Sequence, residues 1–468
     1  MLYIIIIVFL AALFLISTEH ITGINRAAVA VFCAACGWVV YISYGTDFIM
    51  AEHPTQYLEY LNGHDMNSSN VKSFIANNIF INYVGRGAEI VLYLLATVTI
   101  VQILQTNGCF DGLAYWIQDS SAKKMFWKMA VVTLLLSMNI NNLTTAMLML
   151  VMMRSMISEQ RWRFFFGCMI VISANCGGAL TVIGDPVGLV YWNQEYVSAT
   201  TYSVTMLVPV MIVWLLPLYM LSRRLPGRIS KPVGRILPYR GNDTMLRGWQ
   251  KTMMLIVGFG GLWFIPSFRN FTKLSPFVAA LLVLSVLWIV DEIVNRRLIA
   301  IGKNTSNIRM PQAMQYSAVQ QMFYISGIIL LVAVVQETGV FKLVPEWIES
   351  SKDNIWIVAI CTSVLASVAD TFAIAEWCAA LHPVVNTIGQ GSTNSTYWVA
   401  TAYTAQMAGN LLLIGSWAGL TLLRTERLPI GWYAKNVMPW VAVAMIAGMC
   451  IILYVKQDII TQFCSLTN

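Results

Sequence analysis

Charge is what this chain is short of. Only 11% of its 468 residues are Asp, Glu, Lys or Arg, while 58% are hydrophobic; soluble domains carry roughly 25% charged residues. A soluble globular domain is excluded, and a polytopic membrane protein is what such a composition builds. Histidine numbers four, and no His/Cys cluster stands at metal-binding spacing. There is no Walker loop and no Gly-x-Ser-x-Gly elbow, so neither a hydrolase nor a nucleotide-driven pump is indicated, and no cofactor is expected. Nine cysteines are present. Cys33, Cys36, Cys168, Cys361 and Cys450 fall inside apolar runs, where a thiol behaves as a small hydrophobe, and Cys33-x-x-Cys36 has no second pair to work with. The net charge of +7 is not a nucleic-acid signal, because the basic residues gather at helix ends. A cleaved leader is not expected. The first apolar run, Leu2 to Ile16, has no basic stretch before it and no small-x-small site after it, and reads as the first transmembrane helix.

Runs long enough to span need about 20 apolar residues. They fall near 1–17, 25–45, 88–106, 163–190 and 201–222, and again near 251–266, 275–295, 322–341, 395–423 and 437–455. In each set an interrupted apolar stretch separates the third run from the fourth: 123–157, broken by Asn139–Thr145, and 355–385, broken by "SVADTFAIAEW". The fourth runs match in letters. "ANCGGALTVIGDPVG" (174–188) and "AQMAGNLLLIGSWAG" (405–419) share Ala174/Ala405, Gly178/Gly409, Ile183-Gly184/Ile414-Gly415 and Gly188/Gly419. The chain therefore reads as all-α, a duplication of five spans plus a hairpin, with a first repeat at 1–222, a basic linker at 223–250 and a second repeat at 251–468. A hairpin adds no net crossing and five is odd, so the halves are expected to face opposite ways as inverted-topology repeats. With the linker on the cytoplasmic side, 22 of the 29 Lys and Arg lie on that side, as the positive-inside rule requires, and both termini are external. Residues 46–87 read as an external surface loop with a short amphipathic piece. "GFGG" at 258–261 reads as helix packing, and His382-Pro383 as a surface or cap pair.

Broken backbone and lone carboxylates are expensive in lipid and are tolerated where they line a protein-enclosed cavity. "SANCGGALTVIGDPVGLVYW" (173–192) holds both, with Asp185 among glycines and a proline. A hairpin tip such as Asn141-Asn142-Leu143-Thr144-Thr145 ends two half-helices whose free backbone groups need polar partners. Joined to a carboxylate, such a tip can hold a small hard cation through oxygens, and a proton competes for the same carboxylate. The candidate ion ligands are Asp185, Asp370, Asn141, Asn142, Thr144, Thr145, Asn175, Thr371 and Asn410, with Asp185 and Asp370 as the sodium-binding acids. Glu89 and Glu376 are candidates for a proton pathway.

At these motifs the chain resembles the NhaD-type sodium/proton antiporters of the ion transporter superfamily, which also includes citrate and dicarboxylate/sodium symporters. The resemblance is carried by "STEHITGINRAAVAVFCAACGW", "AEIVLYLLATVTIVQIL", "NNLTTAMLML", "SANCGGALTVIGDPVGLVYW", "ISGIILLVAVVQETGVF", "LIGSWAGLTLL" and "WYAKNVMPWVAVAMIAGM", nearly the whole chain. The family pattern has Asp-Asn at both tips. Here the first tip is Asn141-Asn142 and the second Asp370-Thr371, so each tip keeps one member of the pair. Trp-Ser-Pro of the family's broken helix is replaced by Leu180-Thr181-Val182, and Asn410 stands where the family has a small residue.

The resemblance implies the superfamily fold and a secondary transporter of the cytoplasmic membrane exchanging Na⁺ or Li⁺ for H⁺. A sodium-coupled symporter of a small organic anion is the alternative, since an anion site would not need an acid at both tips; a non-transporting sensor on the same scaffold is the third class. The partners expected are monovalent cations, protons and the lipid bilayer, with a homodimer open as the assembly and no nucleic acid.

Overall fold

The computed structural model describes residues 2–62, 66–228, 246–300, 312–341, 347–348, 352–381 and 393–455. Most of the basic linker, Asp65 and the His382-Pro383 pair lie outside the described residues. Among the described residues the chain is helical and no β-strand forms. Eight helices among the described residues are long and apolar enough to cross a membrane, or nine if the bent pair Ile430–Asn436 and Met438–Leu453 is one span. The protein is a multi-pass, all-α membrane protein.

The helices form where the apolar runs lie, although the first, Leu2–Ser17, is at 16 residues shorter than the eight spans. Leu2–Ser17 buries Ile5, Phe9, Ala12 and Ile16 along one face and leaves Ile4, Ile7, Leu10 and Phe14 outward; the i, i+4, i+7 spacing puts the buried set in one stripe. Arg26–Ser43 is started by Asn25, whose side chain accepts from Ala27 N. Prolines begin helices at Pro54 and Pro186, where a missing N–H costs nothing. The reading of 46–87 as a loop needs correction. That segment is helical over Gly45–Glu52, Pro54–Leu61 and Ser68–Phe74, and from Ser68 it runs on through a π-helical turn, Ile75–Phe80, into Ile81–Thr106. Asn67, Asn70, Asn77, Asn78 and Asn82 sit at the entry and first turns of that long helix. Asn67 caps it, and Asn78 and Asn82 bond back to carbonyls four residues earlier.

Burial separates centre from periphery. The Gln160–Leu180 and Thr396–Glu426 windows are 89% and 78% buried, against 22% for Gly248–Thr272 and 33% for Pro276–Ile293. The two broken spans are therefore the core, and the latter helices lie at the periphery. The first broken span is Gln160–Leu180 followed by Pro186–Asn193; the second is Thr396–Leu412 followed by Trp417–Glu426. Each packs against its own hairpin, Ala122–Ser137 with Asn142–Met156 and Lys352–Val368 with Thr371–Leu381, and the broken spans pack on each other. "GFGG" does serve packing: a Cβ at Gly261 would fall 2.6 Å from Val283 and one at Gly258 3.1 Å from Leu104.

Candidate ion site

The two breaks are built alike. In the first half the N–H of Asn142 donates to Gly184 O at 3.2 Å, and in the second the N–H of Thr371 donates to Gly415 O at 3.0 Å. Each hairpin tip is thus tied by its first helical N–H to a glycine in the break of its own span. The approach is close enough to need glycine. A Cβ on Gly184 would lie 2.4 Å from Ser137 O, and one on Gly415 2.1 Å from Ala366 O. Ser137 and Ala366 each lie four residues before a tip, at Asn141 and Asp370, so the likeness extends beyond the letters. After the break Asp185 caps Pro186–Asn193 by accepting from Val187 N at 2.8 Å, and Ser416 caps Trp417–Glu426 by accepting from Gly419 N at 3.0 Å. The second break carries backbone strain: Leu413 holds φ +60°, a left-handed conformation unfavourable for a branched side chain.

Side chains give the two tips different chemistry. Asn142 Nδ2 donates to Asp185 Oδ2 at 2.5 Å, and its Oδ1 accepts from Leu143 N at 2.7 Å. Asn141 Oδ1 caps the hairpin arm through Leu143 N, and its Nδ2 donates to Gln321 Oε1 at 2.6 Å. At the second tip Asp370 Oδ1 accepts from Phe372 N and Ala373 N at 2.9 and 3.2 Å, while Oδ2 accepts from Arg26 Nη1 at 2.9 Å. Arg26 was counted in the sequence among the basic residues at a cytoplasmic span end. It is instead fully buried, lies over Trp417 with its Cζ 5.1 Å from the ring centroid, donates to Ile414 O at 3.2 Å and pairs with Glu19 at 2.5 Å. Arg424 closes the set on Glu19 at 2.7 Å.

The halves meet through amides. Asn175 Nδ2 donates to Asn410 Oδ1 at 2.9 Å and Ser416 Oγ at 3.2 Å, and its Oδ1 accepts from Asn142 at a long 3.4 Å. In return Gln406, from the second half, faces the Asp185 carboxylate. Its Oε1 accepts from Tyr202 OH at 2.8 Å, and its buried Nε2 has no hydrogen-bond partner. Asp185, Asn141, Asn142, Asn175 and Asn410 thus form one buried polar cluster. Thr371 reaches it through backbone and through its methyl, which packs toward Gly409. Thr144 is buried one turn inside the hairpin arm, and Thr145 bonds back to Ile140 O at 3.5 Å.

Glu89 and Glu376 are not part of the cluster's hydrogen bonds. Glu376 pairs with Arg86 at 3.0 Å, and Glu89 accepts from Asn193 Nδ2. Gathered at the breaks, among the described residues, Asp185 is the one carboxylate with no cationic partner. The sequence reading missed Arg26, Gln321, Gln406 and Ser416. Ser416 aligns with Asp185 in the repeated letters, and Gln406 with Asn175; that register was the available signal. Arg26 and Gln321 carry no such mark.

A helical membrane protein whose two broken central spans and two hairpin tips gather buried amides around a carboxylate is built as a transporter. The chain belongs to the citrate transporter family, whose model matches residues 4–301. It is similar to a protein named Sodium/proton antiporter 2 of Arabidopsis thaliana, 26% identical over 77% of this chain and 84% of that protein. It is also similar to proteins named Na(+)/H(+) antiporter NhaD of Vibrio parahaemolyticus, 22% identical over 73% of this chain and 83% of that one, and of Halomonas elongata, 23% identical over 79% and 76%. The NhaD-type resemblance read from the motifs is matched by these relatives.

Proposed function

We propose that the chain exchanges a monovalent cation, Na⁺ or Li⁺, for protons across the cytoplasmic membrane by alternating access, with Asp185 as the group for which the two compete. The observation that carries this is the company Asp185 keeps. A buried carboxylate with amide and backbone donors but no Lys, Arg or His beside it is costly when ionised and unaccompanied, by several kcal/mol. It is stable with a proton or with a cation, and one site that takes either in turn exchanges them. The names of the relatives support sodium and protons.

Residues 1–222 and 251–468 act on this reading as oppositely facing halves joined by the linker, with both termini external. The matched tip-to-glycine bonds, the repeated letters and the distribution of basic residues support it. The symport of an organic anion is favoured by the description of the family alone. Against it, Asp185 would repel a di- or tricarboxylate, and the two arginines that reach the second hairpin, buried Arg26 and partly exposed Arg86, are engaged by Asp370 and Glu376.

The test is dissipation of a pH gradient in everted vesicles on adding Na⁺, Li⁺ or K⁺, against citrate or succinate. Na⁺ or Li⁺ should evoke proton movement in the wild type, and Asp185→Asn should abolish it while the protein still folds, judged by its elution as a single species in detergent. Proton movement evoked only by citrate or succinate, or full activity of Asp185→Asn, would overturn the reading.

A further inference from the structure

The proposal concerns Gln406 and rests on the exchange reading. As the cluster stands, the Asp185 carboxylate is surrounded by N–H groups: Asn142 Nδ2 at 2.5 Å, Val187 N at 2.8 Å, and the Gln406 side chain facing it. That set suits a carboxylate. It does not suit sodium, which as a hard cation needs oxygens and would meet the hydrogens of amides. An amide can present either end in the same shape, NH₂ or C=O, so the environment can change sign without any change in packing, provided the other end of the amide still finds a partner.

The two amides beside Asp185 differ on that condition. Asn142 is held at both ends, since its Oδ1 accepts from Leu143 N at 2.7 Å while its Nδ2 bonds Asp185. Turning it over would place NH₂ against a backbone N–H. Gln406 is held at one end only, by the hydroxyl of Tyr202 at 2.8 Å, and a phenol accepts as readily as it donates. Its Nε2 is buried, with the side chain 3% exposed, and makes no short hydrogen bond, so its hold on the Asp185 carboxylate is loose and the amide can turn without breaking a close contact at that end. We propose that Gln406 is a sodium ligand and a specificity-determining residue of the exchange. Its amide turns over with the occupant of Asp185, NH₂ toward the carboxylate when no metal is bound and C=O toward Na⁺ when it is, with Tyr202 serving both orientations. Because Gln406 comes from Thr396–Leu412 and Asp185 from the other broken span, the cation is then held between the two spans.

The experiment uses the full chain in proteoliposomes, reading the KM for Na⁺ and the maximal rate separately across pH, with infrared difference spectra on adding Na⁺. Gln406→Leu should raise the KM for Na⁺ about tenfold or more, the loss of one charge-assisted ligand, and leave most of the maximal rate. The wild type should show a shifted glutamine amide C=O band on Na⁺ addition that the variant lacks. Should Gln406→Leu fail to fold, Gln406→Glu, nearly isosteric, keeps oxygens on the site and adds a second acid. It should hold the KM for Na⁺ near the wild-type value while moving the activity profile to higher pH, because paired carboxylates retain a proton longer. An unchanged KM in Gln406→Leu, or an unmoved pH profile in Gln406→Glu, with the wild type active, overturns the role of Gln406 alone. A wild type with no Na⁺-evoked proton movement overturns the exchange reading, and this inference with it.

Discussion

Asp185 and Asp370 are both buried acids at a backbone break, and their neighbours separate them. Asp370 has two backbone N–H groups and Arg26; Asp185 has amides and one N–H. A paired carboxylate has little call for sodium or a proton, so the acid of the second tip is neutralised and that of the first tip is absent, Asn141 being bonded to Gln321. The pairing makes a prediction. Arg26→Gln leaves Asp370 buried without its cation, while Glu19 keeps Arg424, and should destabilise the protein by about 3–5 kcal/mol, seen as a lowered melting temperature in detergent. Adding Asp370→Asn to Arg26→Gln should recover part of the loss. No recovery would mean that Arg26 acts through Glu19 alone. Asn141→Asp, by contrast, places a new acid next to Asn142 and close to Asp185, and should move the exchange profile toward higher pH; a profile that overlays the wild type would remove the first tip from the ion site. At this scale the sequence was partly legible. Asp185 and Asn142 were visible because polar residues in a broken apolar run have few other reasons to be there. Arg26 was not, because a basic residue at the start of a span looks the same whether it points to water or inward to a carboxylate more than 300 positions away.

Among elements, the hairpins and broken spans were the most legible part, since hydrophobic runs and glycine clusters mark them directly, and the observed Gln160–Leu180, Pro186–Asn193, Thr396–Leu412 and Trp417–Glu426 overlap the expected runs 163–190 and 395–423, passing their ends by up to three residues. The close contact of each tip with its break is testable. Gly184→Ala sets a Cβ 2.4 Å from Ser137 O, a backbone atom that cannot swing aside, so the tip should be displaced and exchange lost, with a fall in melting temperature; wild-type activity in Gly184→Ala would show that the tip has slack. Residues 46–87 were the least legible, because Asn-rich helix ends resemble a loop. Their docking has a pH dependence. His53 Nε2 lies 2.7 Å from Glu337 Oε2, with Tyr41 and Tyr83 on the same carboxylate and Glu52 and Gln56 near the ring. The hydrogen bond to Glu337 raises the His53 pKa above its usual 6.5. A raised histidine pKa stabilises below the unfolded value and ceases to do so as pH rises through the folded one. The Gly45–Leu61 helices should therefore exchange amide hydrogens faster at pH 9 than at pH 6, beyond the intrinsic base catalysis measured on an unfolded peptide of the same sequence. His53→Gln should flatten that difference, and an equal pH response in the variant would dismiss the contact as a latch.

For the whole molecule, composition alone announced the membrane, and the repeated letters announced that two central spans are built to one plan. What the letters could not convey is how many charges the centre carries, because that is a property of pairs: Asp370 with Arg26 and Glu376 with Arg86 cancel in space and not in sequence. The account's central claim is that one uncompensated carboxylate, Asp185, is the exchange site. One acid that holds either one proton or one monovalent cation moves no net charge per cycle. The most direct measurement is Na⁺-evoked proton movement in proteoliposomes with the membrane potential set by a potassium gradient and valinomycin. The account predicts the same rate at zero and at strongly negative or positive potential, and none in Asp185→Asn. A rate that rises steeply with potential would mean that a second buried acid takes part in the cycle, and would contradict the claim.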